Sequence, residues 1–238
     1  MESSSVRKRQ RPFVWVMLGC ILFLILTTVA MLLYPGGTRN DPMTGCYQFS
    51  ANFFSDLGIT VAYDGSPNTL CAALFFTALV LAGLAVILFF VAMAQFFKRP
   101  LPARVLSWIG SAVGVVSGLA YVGIAFSPGN LFLDAHILFV QVAFLGFFLA
   151  VLFYLAAILV TESYPNRYAA VLAGFAVILA VYLWLLFFGP APDTPNGLTI
   201  QATGQKIVVY TMIVTVFIEA VGARRLAGGV AGNRRGPA

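Results

Sequence analysis

Charged and titratable side chains are scarce in this chain of 238 residues. Only 9% of the residues are charged and a single histidine is present, whereas soluble domains carry about 25% charged residues. The three cysteines, Cys20, Cys46 and Cys71, include no CxxC pair. The composition therefore excludes an ordinary soluble domain, and the sequence predicts no metal site and no cofactor.

Six long apolar stretches dominate the sequence instead. Each contains roughly 17 or more residues, which is enough for a helix to cross a hydrocarbon core of about 30 Å. The stretches cover residues 13–33, 69–97, 105–126, 137–160, 169–188 and 207–223. They predict an all-α, polytopic membrane protein with a six-helix transmembrane domain at 13–223. The longest connection is the outer loop at 34–68, and residues 189–204 are predicted to be irregular because they contain three prolines.

The basic residues are sorted to one side of these stretches. Twelve of the 14 Lys and Arg residues lie in 1–12, in 98–104, at Arg167 or in 224–238. Only Arg39 and Lys206 lie in the alternate connections. The positive-inside rule then predicts a multi-pass protein of the cell membrane, with the basic segments 1–12 and 224–238 both cytoplasmic.

The net charge of +6 predicts an interaction with a negatively charged partner. Anionic membrane lipids fit, because the basic residues flank apolar spans. No basic face with interleaved aromatic residues is present, so the sequence predicts no nucleic-acid partner. Gly110, Gly114 and Gly118 form a small-residue face on the third stretch. We expect this face to pack inside the bundle, and a homodimer contact is the alternative.

Polar side chains gather in the outer connections. Asn52, Ser55 and Asp56 have spacings of three and four residues, so a helical turn would place them on one side. Asn68 precedes the second stretch as a plausible helix entry. The predicted topology brings these residues to the same membrane level as three others from two further connections: Asp134 and His136 just before the fourth stretch, and Lys206 just before the sixth.

Two interpretations of this set stay open. The seven residues could form a polar pocket for a lipid headgroup or for acid–base chemistry. Alternatively, Asp56 and Lys206 form an ion pair that fixes the loop, and His136 bonds to the loop. Cys46 and Cys71 could pair as a disulfide in an oxidising exterior.

Glu219 is the only carboxylate inside an apolar stretch. An ionisable residue in a membrane span suggests a functional site, here a proton-binding one. Glu219 is only five residues from Arg224, however, so an ion pair at the inner interface is the alternative.

The segment NFFSDLG at residues 52–58 resembles the N-x-x-S-(D/E)-L-G signature of the DUF998 membrane proteins. The resemblance continues with Asn68, with Phe126-Ser127-Pro128 and with His136 at the fourth stretch. It implies a six-helix architecture but no activity, since DUF998 denotes a domain of unknown function. The distantly similar Frag1/DRAM/Sfk1 group includes proteins linked to lipid remodelling and membrane trafficking, which implies a lipid-related role.

Three functions are compatible with these residues. The favoured one is a non-enzymatic scaffold or binder of a lipid or small amphiphile, with the polar pocket holding the headgroup. The second is a membrane enzyme acting on a lipid or isoprenoid, with His136 as general base and Asp56 or Asp134 orienting it. The third is a small proton-coupled transporter that uses Glu219.

Overall fold

Six α-helices account for the six apolar stretches. The computed structural model describes residues 4–162 and 164–232, and in this part of the chain it is all-helical. Each of the six helices is long and apolar enough to cross a membrane. The helices are α1 (Ser4–Leu33), α2 (Thr69–Met93), α3 (Leu101–Phe126), α4 (Leu133–Leu159), α5 (Asn166–Phe188) and α6 (Pro195–Gly232). The predicted all-α class is therefore confirmed.

The start of α6 differs from the prediction. Residues 195–204 are helical and not irregular, and only 189–194 form the link from α5. Thr194 explains the difference, because its Oγ1 accepts the Gly197 N–H at 3.1 Å and caps the first turn. Proline is also tolerated in a first helical turn, where its missing N–H costs no hydrogen bond. These first turns of α6 contain polar residues, so the apolar stretch read from the sequence begins only at residue 207.

The helices form a closed ring in chain order, because each packs against the next and α6 packs against α1. At one end of the ring, which we call the loop end, Asn130 Nδ2 donates to Thr60 Oγ1 at 2.7 Å. This bond joins the connection 127–132 to the long loop 34–68. At the opposite end, Arg9 Nε donates to Gln95 Oε1 at 3.0 Å and joins the N-terminal part of α1 to the end of α2. Ten of the twelve clustered basic residues belong to the described segments at this second end, and Arg234 and Arg235 lie outside the described residues.

The small-residue face of α3 lies inside the bundle. A Cβ atom built on Gly114 would lie 2.2 Å from the Phe90 ring, and one on Gly110 would lie 2.9 Å from Tyr154. Ser117 Oγ donates to the Ala143 carbonyl oxygen at 2.7 Å. The face therefore holds α3 tightly between α2 and α4, as close packing of helices in lipid requires.

Gly83 of α2 should tolerate no side chain. A Cβ on Gly83 would lie 2.6 Å from the backbone oxygen of Gly118, and backbone cannot rotate away. We expect Gly83→Ala to lower the unfolding free energy by about 1–3 kcal/mol through overpacking. Thermal unfolding in mild detergent measures this. Gly174→Ala in α5 is the matched control, since nothing lies within 4 Å of that Cβ. Equal Tm values for the two variants would contradict the packing described here.

Candidate functional site

Asn52 organises the long loop 34–68. Its Oδ1 accepts the Gln48 N–H at 2.8 Å, and its Nδ2 donates to the Gly37 carbonyl oxygen at 3.0 Å. The same Nδ2 donates to Asp56 Oδ2 at 3.2 Å. Asp56 Oδ2 also accepts the Phe53 N–H at 2.8 Å, at the start of a single 3₁₀ turn (Phe54–Gly58). A short side chain that bonds to nearby backbone in this way favours a turn over a longer helix.

The side chain of Lys206, on α6, extends into the folded loop 34–68. Its side chain is only 1% exposed, and its ammonium donates to the backbone oxygen of Asn52. The ammonium also lies 5.1–5.6 Å from the centres of three aromatic rings, a distance typical of cation–π contact. These rings belong to Tyr47, Phe49 and Phe54. We call Lys206 with these three residues and Asn52 the lysine cage.

Asp56 and Lys206 interact through Asn52 and not directly. Lys206 bonds to the backbone oxygen of Asn52, whereas Asp56 bonds to its side chain. Within residues 4–162 and 164–232 the two charged groups form no ion pair, so the direct pair considered above is wrong. The reason is geometric, since the Asn52 peptide lies between them. Asp56 is 4% exposed, and its third partner is the Tyr63 hydroxyl at 3.4 Å.

Burial decides the protonation of Asp56. Loss of water raises its pKa from 3.8 to about 6. The hydrogen bonds from Asn52 and Phe53 and the charge of Lys206 act in the opposite direction. Burial and the nearby Asp56 charge also raise the pKa of Tyr47, so its hydroxyl remains neutral and donates to the Phe53 carbonyl oxygen at 3.0 Å.

Asn68 fixes the far end of the 3₁₀ turn. Its buried Nδ2 donates to the carbonyl oxygens of Leu57 and Ile59 at 3.2 and 2.8 Å. Cys71 lies one turn further along and donates to the Leu57 oxygen at 3.2 Å. The disulfide considered above is not formed, because Cys71 is buried against α1 and Cys46 is exposed on the loop; both are free thiols.

His136 and Asp134 lie apart from the lysine cage. His136 Nδ1 lies 2.7 Å from the Ser127 carbonyl oxygen, so Nδ1 carries a proton and donates it. The ring thereby holds the connection between α3 and α4. Asp134 is exposed in the first turn of α4. The Asp–His pair of the enzyme hypothesis is therefore wrong, since the partner of the His136 ring is a backbone carbonyl.

An apolar cavity lies between the folded loop and the helices. Its volume is about 70 Å³, and it extends between α1, α2, α3, α4 and α6. Phe54, Ser55 and Gln205 form its roof. Gln205 Oε1 accepts the Phe54 N–H at 2.7 Å and so joins the loop to α6. The cavity wall is formed almost entirely by aliphatic and aromatic side chains from the loop-end half of the bundle.

The predicted polar pocket is thus a closed network. Asn52, Asp56 and Lys206 do meet, but they bond to one another and to backbone. Asn68 supports the turn from a different side, Ser55 borders the apolar cavity, and Ser55 and His136 line a second small cavity of about 10 Å³. The aromatic members of the lysine cage and Gln205 were missed. Their positions beside Asn52 and Lys206 were the only signal in the sequence, and nothing in it shows that their side chains meet.

Glu219 lies in another small cavity toward the other end of the bundle. The side chain is 0% exposed, and its Oε2 accepts the Tyr164 hydroxyl at 3.3 Å. Its Oε1 has no hydrogen-bond partner. The pairing with Arg224 considered above is wrong, because five residues of helix separate the two side chains by about 140° of rotation. Arg224 is accordingly exposed.

The arrangement defines a multi-pass helical membrane protein with a folded loop that covers an apolar interior. No family model matches the chain, and neither does any curated protein or solved structure. The part of the chain that the structure describes contains no group of three His, Cys, Asp or Glu residues placed to hold a metal ion.

The raised pKa of Asp56 predicts a pH-dependent stability. The Asp56 carboxyl group binds a proton more readily in the folded state than in the unfolded chain. Its protonation therefore contributes fully to the unfolding free energy below about pH 4, and this contribution declines as the pH rises through about 6. We expect the wild type to lose unfolding free energy between pH 4.5 and pH 7, by about 1.4 kcal/mol per unit of pKa difference. Asp56→Asn should lack this slope in thermal unfolding at graded pH.

Asp64→Asn is the control for this experiment, since Asp64 belongs to the same loop but is exposed. It should keep the wild-type slope. A slope of equal size in Asp56→Asn would show that another group causes it.

Proposed function

We propose that this chain is a non-enzymatic protein of the cell membrane that binds a lipid or related amphiphile by its hydrocarbon chain. The observation that carries the proposal is the apolar cavity of about 70 Å³ beneath the loop. Its walls supply no polar group apart from Ser55 and Gln205 at the roof and the Tyr121 hydroxyl and Cys20 thiol at its sides. Tyr121 donates to Met212 Sδ at 3.3 Å and is therefore already bonded.

The size of the cavity favours a slender ligand. Drug-sized molecules occupy pockets of about 300–1,000 Å³, so this cavity fits a single hydrocarbon chain better than a fused ring system. A chain that leaves bulk lipid gains little hydrophobic free energy, because the surroundings are apolar on both sides. Its affinity must come from dispersion contacts with the cavity wall. Selectivity is then a matter of chain length and shape.

The lysine cage supports this function indirectly. It holds Phe54 and Ser55 over the cavity by anchoring the loop to α6 through Lys206. The proposed relation to the DUF998 proteins rests on the same segment, since Asn52 and Asp56 of the NFFSDLG motif bond to each other. In this proposal the motif is a structural clamp for the roof and does not contact a headgroup.

A pair of valines on α6 tests the binding proposal. Val209 lines the cavity and is 7% exposed, whereas Val214 on the same helix is 55% exposed and faces outward. Phospholipids with a photoreactive diazirine in the acyl chain should crosslink to α6 near Val209 in nanodiscs. We expect Val209→Phe to reduce this crosslinking at least fivefold, because the ring fills the cavity, and Val214→Phe to leave it unchanged.

Peptide mapping of the crosslinks by mass spectrometry gives the readout. Crosslinks confined to outward-facing residues in the wild type would exclude an acyl chain in the cavity. Equal crosslinking in the wild type and Val209→Phe would exclude it as well. Either result overturns the proposed function.

We propose further that the loop end faces the outside of the cell and that both termini are cytoplasmic. The concentration of Lys and Arg at the other end supports this orientation. The native cysteines offer a test, because Cys46 is exposed on the loop and both Cys20 and Cys71 are buried.

A membrane-impermeant maleimide applied to intact cells should therefore label the wild type and leave Cys46→Ser unlabelled. Permeabilised cells give the reference level of labelling for each protein. Labelling of Cys46 only after permeabilisation would reverse the proposed orientation.

A further inference from the structure

The apolar interior continues from the first cavity toward Glu219. Val216 lines both the cavity beneath the loop and the small cavity that contains Glu219, so the two cavities adjoin the same side chain. Along α6, the distance from Gln205 at the roof to Glu219 is 14 residues, or about 21 Å at 1.5 Å per residue. The interior is thus long and narrow, with its one unbonded carboxyl oxygen at the end remote from the loop.

A negative charge on Glu219 would have no cationic partner among the described residues. Its Oε1 has no partner, and a buried carboxylate without a cation is strongly disfavoured. Thr215 is the one other residue of α6 with a polar side chain that lines this cavity, and the remaining lining is apolar or aromatic: Phe89, Phe90 and Met93 from α2, Phe147, Val151 and Tyr154 from α4, Leu172 from α5 and Val216 from α6. Tyr164 faces it from the connection between α4 and α5. Among the described residues the only titratable groups facing Glu219 are the two tyrosines, which are neutral below about pH 9.

The cavity beside Glu219 has a defined size. Its volume is about 10 Å³, which is the room that one water-sized group requires. A primary ammonium group has this size, whereas a trimethylammonium group does not. Three aromatic rings line the same cavity, and the centre of the Phe90 ring lies 5.3 Å from that of Phe147 and 5.7 Å from that of Tyr154. The unbonded oxygen therefore borders room for one small donor group.

We propose that the amphiphile bound by this protein is a primary alkylamine, with its ammonium group at Glu219 and its hydrocarbon chain in the cavity beneath the loop. This inference rests on the proposed function, because the chain needs the apolar cavity. On binding, the Glu219 carboxyl group transfers its proton to water, and the carboxylate formed pairs with the ammonium of the ligand. Tyr164 keeps its hydrogen bond to the other oxygen. One proton is released for each ligand bound.

The test compares amphiphiles of equal chain length. Radiolabelled dodecylamine, dodecanol and dodecyltrimethylammonium are titrated into phosphatidylcholine nanodiscs that contain the protein, with empty nanodiscs to subtract partitioning. We expect the wild type to bind dodecylamine at least tenfold more tightly than either other compound at pH 7.5. Between pH 6 and pH 8 its affinity should rise by up to about tenfold per unit, as the release of one proton requires.

Glu219→Gln is the decisive variant, since glutamine keeps the shape and the bond from Tyr164 but cannot become negative. It should bind dodecylamine and dodecanol equally and independently of pH. Glu162→Gln is the control, because Glu162 lies exposed in the connection that contains Tyr164. It should behave as the wild type.

The outcomes separate the two proposals. Equal binding of dodecylamine and dodecanol by the wild type would overturn the amine inference and leave a hydrocarbon site, with Glu219 satisfied by water alone. Retention of the amine preference in Glu219→Gln would overturn it too. Absence of saturable binding for all three compounds would count against the proposed function itself.

Discussion

The rest of the structure depends on the burial of the Lys206 ammonium. A lysine 1% exposed inside a bundle of apolar helices needs an acceptor, because an isolated buried charge costs several kcal/mol. The acceptor is the backbone oxygen of Asn52, which can reach Lys206 only if the long loop folds down onto α6. The loop in turn buries its own aromatic side chains against Lys206. Helix and loop therefore stabilise one another, and neither arrangement would be favourable alone.

Asp56 partly neutralises the Lys206 charge without contacting the ammonium, because both groups bond to Asn52. The Asn52 peptide and side chain stand between the ammonium and the carboxylate, and each charge has hydrogen bonds of its own. Such a network is less costly to bury than two bare charges, since every strong donor and acceptor has a partner. The consequence for function is that these residues close the site. A ligand must then be recognised below the loop, where the walls are apolar.

The closed ring of helices creates that interior. Glycine and serine bring α3 close to α2 and α4, whereas larger side chains keep the ring centre from closing completely. The two cavities follow from this uneven packing, and Glu219 lines the smaller one. A wholly apolar ring would bind any chain that fits. Glu219 adds the only group in this interior that distinguishes a charged head from a neutral one, and that is the basis of the amine specificity proposed above.

The sequence by itself determined the six helices and the segment that bears the polar residues. Both follow from local properties, namely run length, charge and spacing, so α2 to α5 agree with the apolar stretches within four residues, whereas α1 begins at Ser4, nine residues before its stretch. The early start of α6 needed the cap at Thr194, which only the structure revealed. The tertiary structure also decided that Lys206 bonds to Asn52 and not to Asp56, that His136 bonds to Ser127, and that Glu219 points away from Arg224. These outcomes depend on distances between residues far apart in the chain, and composition and periodicity contain no such information.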